Sequence, residues 1–199
     1  MRITDVEIFD VTVGAWHPVI LRINTDEGIS GVGEVALAYG VGSSAGVGIA
    51  QDLAEHFLLG ADPFQIEQIW DRMYRKTFWA QGGGPVVFGG MSAIDEALWD
   101  IKGKALGVPV YELLGGRCWD RLRVYANGWY RGCVTPEAYA DAAQQVVADG
   151  YTAMKFDPFA VTAEGDWDYT RRALSRERAD LAYERVSAVR EAIGPAIDI

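Results

Sequence analysis

A change of hydrophobic period along the chain most constrains what it can fold into. Over the first 39 residues apolar side chains alternate as in strands: Ile3, Val6, Ile8, Val11 and Val13, then Val19 to Ile23, then Ile29 to Ala38. Alternation of period two buries one face of an extended chain and leaves the other to solvent. Between the second and third runs lies Asn24-Thr25-Asp26-Glu27-Gly28, a turn composition, so a three-stranded antiparallel meander is expected. The period then becomes helical. Asp62-Pro63 places a capping acid before a proline at the first helical position, and Gln65 completes a capping-box pattern ahead of Ile66, Ile69, Trp70 and Met73. A second helix is expected to begin near Ser92, with Asp95 three residues on, and to carry Ile94, Ala97, Leu98, Ile101 and Ala105 until Gly107 and Pro109 stop it.

From about residue 120 strand and helix alternate: Leu122–Ala126, a helix over Pro136–Ala148, Tyr151–Phe156, a helix from about Arg176 to Ile193, and a last strand starting at Ala196. Such alternation implies parallel strands joined by helical crossovers. Two domains are therefore expected, residues 1–117 and 118–199.

Lys and Arg number 18 against 28 Asp and Glu, a formal charge of −10. That sign opposes the counterion release that drives nucleic-acid binding. The start lacks the basic stretch and apolar core of a signal peptide, and no apolar run approaches the roughly 20 residues of a membrane span, so a cytoplasmic location without a membrane partner is expected. Cys118 and Cys133 form neither a CxxC nor a Cys/His cluster and read as ordinary reduced thiols.

One segment carries a family likeness. Ser92-Ala93-Ile94-Asp95-Glu96-Ala97-Leu98-Trp99-Asp100-Ile101-Lys102-Gly103 and its continuation to Gly115-Gly116 resemble the signature of the mandelate racemase and muconate lactonizing enzyme family of the enolase superfamily. The meander and helices before it resemble that family's N-terminal capping domain, and Arg123-Val124-Tyr125-Ala126-Asn127-Gly128 resembles its first barrel strand. Tyr151 to Phe159, with Lys155-Phe156-Asp157-Pro158, is most similar to members that dehydrate acid sugars of the galactonate and gluconate type. The resemblance implies an α+β capping domain followed by the start of a (β/α)8-type barrel. A complete barrel takes about 250 residues, so the sequence is expected to stop inside the third strand.

The implied reaction removes a proton next to a carboxylate, stabilises the enediolate with Mg²⁺ and expels the β-hydroxyl to leave a 2-keto-3-deoxy acid. Racemisation or epimerisation, cycloisomerisation, or a non-catalytic fragment are the alternatives. The substrate is a small acid sugar, a homo-oligomer is expected, and the magnesium ligands are expected beyond this sequence. Asp198 lies too early in its strand to be nominated as one.

Lys155 and Asp157 are the candidate catalytic residues. Alternation puts both on one strand face, and in a barrel that strand end opens onto the active-site mouth; an exposed ion pair is the plain alternative. The family pattern is Lys-x-Lys with the second lysine as base, but Asp157 stands there. Only Lys155 is therefore carried over, as a substrate-binding or electrostatic group, with Asp157 orienting a hydroxyl or Lys155. A base is expected downstream.

Trp16 and His17, in a loop matching the family's substrate-selecting loop, are candidate substrate contacts. His17 is equally readable as a solvated loop histidine, and His56 as structural. Tyr39-Gly40-Val41-Gly42-Ser43-Ser44 is a candidate mobile capping loop, with Tyr39 a substrate contact. Asn127 faces the mouth or serves a turn beside Gly128. The aperiodic stretch from Pro158 to Ser175 is long for a connection, and its Trp167 and Tyr169 are candidates to cover the site.

Overall fold

The computed structural model describes residues 1–38, 41–78, 80–167 and 173–199. They divide into two compact units, Met1–Cys118 and Trp119–Ile199.

In the first unit β1 (Ile3–Asp10), β2 (Val19–Thr25) and β3 (Ser30–Val35) form an antiparallel sheet in that order. Along β2 the alternation is strict: Val19, Leu21, Ile23 and Thr25 are buried while Ile20, Arg22 and Asn24 are half-exposed. The buried face meets the long helix α3 (Pro85–Leu106), whose Ala93, Ile94, Ala97, Leu98 and Ile101 are buried. Glycines set how close that helix comes. A Cβ added to Gly31 or Gly33 would fall inside the contact distance of the Ala97 or Ala93 carbonyl oxygen, so only a face without side chains admits the helix backbone.

The same helix closes the sheet's edge. Val32 and Glu34 of β3 donate their amides to Asp100 Oδ2 and Glu96 Oε2, each at 3.0 Å. Lys104 Nζ reaches the Ser30 carbonyl at 2.8 Å and Asp100 at 2.7 Å. Residues 96, 100 and 104 lie one helical turn apart, and together they occupy main-chain groups that an edge strand otherwise leaves open. The remaining core comes from α1 (Ser43–Leu53), a π-helical turn over Ala54–Leu58, and α2 (Ile66–Lys76), with the short α4 (Val110–Leu113) after α3.

Several boundaries differ from expectation. The second expected helix starts not near Ser92 but at Pro85, following Gly84 with its φ of 119°. The first starts at Ile66 with no side-chain cap. Asp62 instead accepts from the Phe64 amide at 3.0 Å and forms a turn before the helix. Helix α1, which takes in Ser43 and Ser44 of the expected loop, contains Gly46 and Gly48; Gly46 packs against Val35, where a Cβ would lie 3.1 Å from Val35 Cγ1.

The second unit holds β4 (Ala126–Asn127) parallel to β5 (Met154–Lys155), with Ala126 opposite Met154 and Asn127 opposite Lys155. A third parallel contact joins Ala153 to Asp198 through Met154 N to Asp198 O at 2.9 Å and Asp198 N to Thr152 O at 3.1 Å. Helix α5 (Pro136–Ala148) follows β4, and α6 (Arg176–Ile193) follows β5. Thr135 and Ser175 cap them by accepting from Ala138 N and Arg178 N. Their core contains Tyr139, Ala143, Val146, Met154 and Val189.

Both expected strands are shorter than read. Leu122–Ala126 reduces to Ala126–Asn127, and Leu122 and Val124 are exposed. Upstream of Ala126 the chain is held by a side chain, not a ladder: Arg123 donates to Thr152 Oγ1 at 3.0 Å and the Thr152 carbonyl at 2.6 Å, and pairs with Asp198 at 2.5 Å. Tyr151–Phe156 reduces to Met154–Lys155. Among the described residues no helix is long and apolar enough to cross a membrane.

Replacing Gly33 by Ala is expected to cost at least about 2 kcal/mol, because the clash is with helix backbone and no rotamer relieves it. Urea denaturation followed by circular dichroism measures this; a loss below about 0.5 kcal/mol would contradict the close contact.

Candidate functional site

Parallel strands end on the same side, and β4 and β5 stop together at Asn127 and Lys155. Ala126 and Met154 turn toward the helices. Their successors Asn127 and Lys155 are register partners, both exposed, and leave the opposite face side by side. The strand end is fixed from behind by Trp129, whose indole Nε1 donates to the Lys155 carbonyl at 3.0 Å. Trp129 is itself held edge-on by Phe156 (ring centroids 5.2 Å apart), Tyr130 (5.7 Å) and Tyr139 (6.3 Å). Asn127 also serves its own turn, accepting from the Gly128 amide at 2.9 Å, and Gly128 sits at φ +77°, which favours glycine.

The ladder ends at Lys155, so Asp157 falls outside the strand. It lies two residues beyond, in a turn in which its Oδ1 accepts from the Phe159 amide at 2.9 Å and its carbonyl from Ala160 N at 3.4 Å. Among the described residues no ion pair joins it to Lys155. The Asp157-Pro158 sequence is itself a turn signal, and the ladder ends before the alternation can carry through.

The stretch after Asp157 is more ordered than its lack of periodicity implied. Val161 bridges Trp167 in an antiparallel contact, and Thr162 N donates to Asp166 O at 2.8 Å. The Thr162 hydroxyl oxygen accepts from Glu164 N and Asp166 N. Tyr169 lies outside the described residues.

Arg185, on α6, was missed altogether. It is 1% exposed and bonds four main-chain carbonyls: Val134, Pro158, Val161 and Thr162. The one signal for it was position, since it stands between Ala182 and Val189 on the buried stripe of its helix. Its guanidinium lies 5.1 Å from the Tyr139 ring. The Tyr139 hydroxyl is buried without a hydrogen-bond partner among the described residues, and burial pushes its pKa up against the opposing pull of Arg185. Burial likewise raises the Cys133 thiol, which makes it a poor thiolate.

In the first unit, Trp16 and His17 belong to a hairpin extension of β1 and β2. Val13 and Trp16 exchange both main-chain bonds, at 2.9 and 3.0 Å, and Gly14 at φ +61° occupies the first central position of the turn. Trp16 is 44% exposed. His17 contacts Thr12 Oγ1 through Nδ1 at 3.4 Å and donates its amide to the Ala38 carbonyl at 2.9 Å. Tyr39 and Gly40 lie outside the described residues, and Ser43 and Ser44 belong to α1 and not to a loop. His56, in the π-helical turn, bonds the Asp52 carbonyl at 2.9 Å.

Among the described residues no three His, Cys, Asp or Glu side chains gather where they could hold a metal ion. The described residues therefore do not fit a magnesium site.

Residues 3–115 match the family model described as "Mandelate racemase / muconate lactonizing enzyme, N-terminal domain". The chain is 38% identical to a D-gluconate dehydratase of Thermoproteus tenax over 185 residues, 93% of this chain and 35% of that protein. It is also 38% identical to a D-galactonate dehydratase of Variovorax paradoxus, over 100% of this chain and 47% of that protein. A crystal structure of a member of the enolase superfamily from Salmonella typhimurium superposes with a TM-score of 0.95 at 47% identity, covering 100% of this chain and 53% of that one. The chain thus spans about half, or less, of the length of the proteins it matches, and the parallel units after Cys118 are the start of their barrel strands.

Replacing Tyr139 by Phe removes a buried hydroxyl that lacks a partner and is expected to leave stability unchanged or raised by about 1 kcal/mol. A loss above about 1 kcal/mol in urea denaturation would show that the hydroxyl is bonded.

Proposed function

The chain belongs to the mandelate racemase / muconate lactonizing enzyme family, and we propose that it supplies the N-terminal half of a dehydratase acting on acid sugars. The observation that carries this is the pairing of Lys155 with Asn127 on one face at the ends of adjacent parallel strands. Active sites of barrel enzymes sit at that end. The names of the two 38%-identical relatives point to sugar acids and to dehydration.

A sugar acid presents a carboxylate, then a carbon bearing a weakly acidic proton, then a carbon bearing a hydroxyl. Lys155 offers the carboxylate a cation, and the Asn127 amide offers it a neutral donor. Their benefit grows as the α-proton leaves, because charge then accumulates on the carboxylate oxygens. Electrons returning from that enediolate expel the β-hydroxyl, which departs as water with a proton from an acid, and the enol tautomerises to the 2-keto-3-deoxy product. Asp157 acts on this site through the turn it closes. Trp16 and His17 are the proposed substrate contacts of the first unit, and the base and the magnesium are expected from the length that the relatives carry beyond this chain. Racemisation shares the first step but returns the proton to the opposite face; the relatives' names favour dehydration.

In the full-length protein, Lys155→Ala is expected to lower kcat/KM on the preferred acid sugar by at least about tenfold, equivalent to about 1.4 kcal/mol of transition-state stabilisation. Steady-state ketoacid assays over a panel of six-carbon sugar acids measure it. A variant within about threefold of wild type, folded by circular dichroism, would remove Lys155 from the site.

A further inference from the structure

We propose that Arg185 is a positioning residue, a clamp that joins the two segments leaving the ends of β4 and β5 and thereby sets the aim of Lys155 and Asp157. It rests on the dehydratase reading for its functional consequence, though not for its geometry.

A guanidinium carries five N–H donors in a rigid planar fork. Here all five are used: Nε and one terminal nitrogen on the Val134 carbonyl (3.0 and 2.6 Å), that nitrogen also on Thr162 (3.3 Å), and the other on Pro158 (2.8 Å) and Val161 (2.9 Å). Burying a cation costs free energy that a partner must offset, and the usual partner is a carboxylate. Arg185 bonds none. Its acceptors are neutral carbonyls, and they come from only two places: Val134, between β4 and α5, and residues 158–162, between β5 and α6.

The Val161 carbonyl is buried and those of Val134, Pro158 and Thr162 are partly buried; carbonyls withdrawn from water need donors as much as the cation needs acceptors, so each side of the contact satisfies the other. The fork stands on an 18-residue helix, and Tyr139, wholly buried, faces its guanidinium. The loops are thus referenced to rigid elements.

The consequence for the site follows from adjacency. Pro158, held by Arg185, follows Asp157, and Asp157 closes its turn on the Phe159 amide at 2.9 Å. Arg178, about two turns earlier on α6, adds a bond to the Phe159 carbonyl at 3.0 Å. The turn is pinned from outside by α6 and from inside by Asp157, two residues after Lys155. Misplacing a catalytic group by about 1 Å costs on the order of a hundredfold in rate. Lysine has one ammonium with no fork, so it can serve only part of this set.

The test uses Arg185→Met and Arg185→Lys in the full-length protein. Hydrogen exchange by mass spectrometry is read over residues 130–135 and 157–163, with kcat and KM on the preferred sugar acid and circular dichroism as the check of fold. Arg185→Met is expected to speed exchange at least about tenfold in those two segments only, leaving α5 and α6 protected. Its kcat is expected to fall at least about tenfold, with kcat carrying most of the change in kcat/KM. Arg185→Lys should lie between Met and wild type in both readouts.

Wild-type exchange in the two segments overturns the clamp, and kcat within about twofold while the segments open overturns the positioning role. If Arg185→Met does not fold, Arg185→Lys alone decides by the same two criteria. If the wild-type protein dehydrates no sugar acid, the dehydratase reading fails and with it the positioning role, while the exchange rates still decide the clamp.

Discussion

The close contact between β3 and α3 is what the first unit depends on. Gly31 and Gly33 remove the side chains that would hold the helix off, Ala93 and Ala97 bring its backbone onto them, and Glu96, Asp100 and Lys104 then occupy the main-chain groups of the strand's outer edge. Apolar burial alone does not specify such a distance, since larger residues would bury more area at a wider spacing. The family signature from Ser92 to Gly116 thus has a physical content: small residues where the helix touches the sheet, and acids and a lysine where it borders the edge. The hairpin carrying Trp16 and His17 extends β1 and β2, so its base rests on the same packing.

In the second unit the ordering principle is different. Only two residues of each strand share a regular ladder, and the segments beyond the strand ends are organised by side chains that bond main-chain atoms: Trp129 on Lys155, Asp157 on Phe159, and Arg185 on four carbonyls. The bonds of Trp129 and Arg185 join segments far apart in sequence, that of Asp157 closes a local turn, and together they hold irregular backbone beyond the strand ends.

Much of the fold was legible because its signals are local. The alternation through Val19, Leu21 and Ile23 marked a half-buried strand, and the bounds of α5 and α6 coincide with those read from Pro136–Ala148 and Arg176–Ile193. Illegible features were those set by distant partners. Helix α1 carries two glycines that argue against a helix until Val35 is seen against Gly46. The Asp62-Pro63 pair reads as a helix cap, yet Asp62 accepts from the Phe64 amide in a turn ahead of the helix. Asp157 falls past the ladder's end, where strand alternation no longer decides which way a side chain faces. Arg185 announces itself only as a cation on an apolar stripe, and its acceptors lie up to 51 residues away.

The most direct test of the central claim is the fate of hydrogen when the full-length protein acts on sugar acids in D2O. Removal of the α-proton, loss of the β-hydroxyl and tautomerisation predict a 2-keto-3-deoxy acid carrying one solvent deuterium at C3, read by proton NMR. Recovery only of sugar acid with deuterium at C2, inverted configuration there and its hydroxyl intact, with no ketoacid formed, would contradict dehydration and assign a racemase or epimerase. Absence of both products across the six-carbon acids would contradict the acid-sugar reading itself.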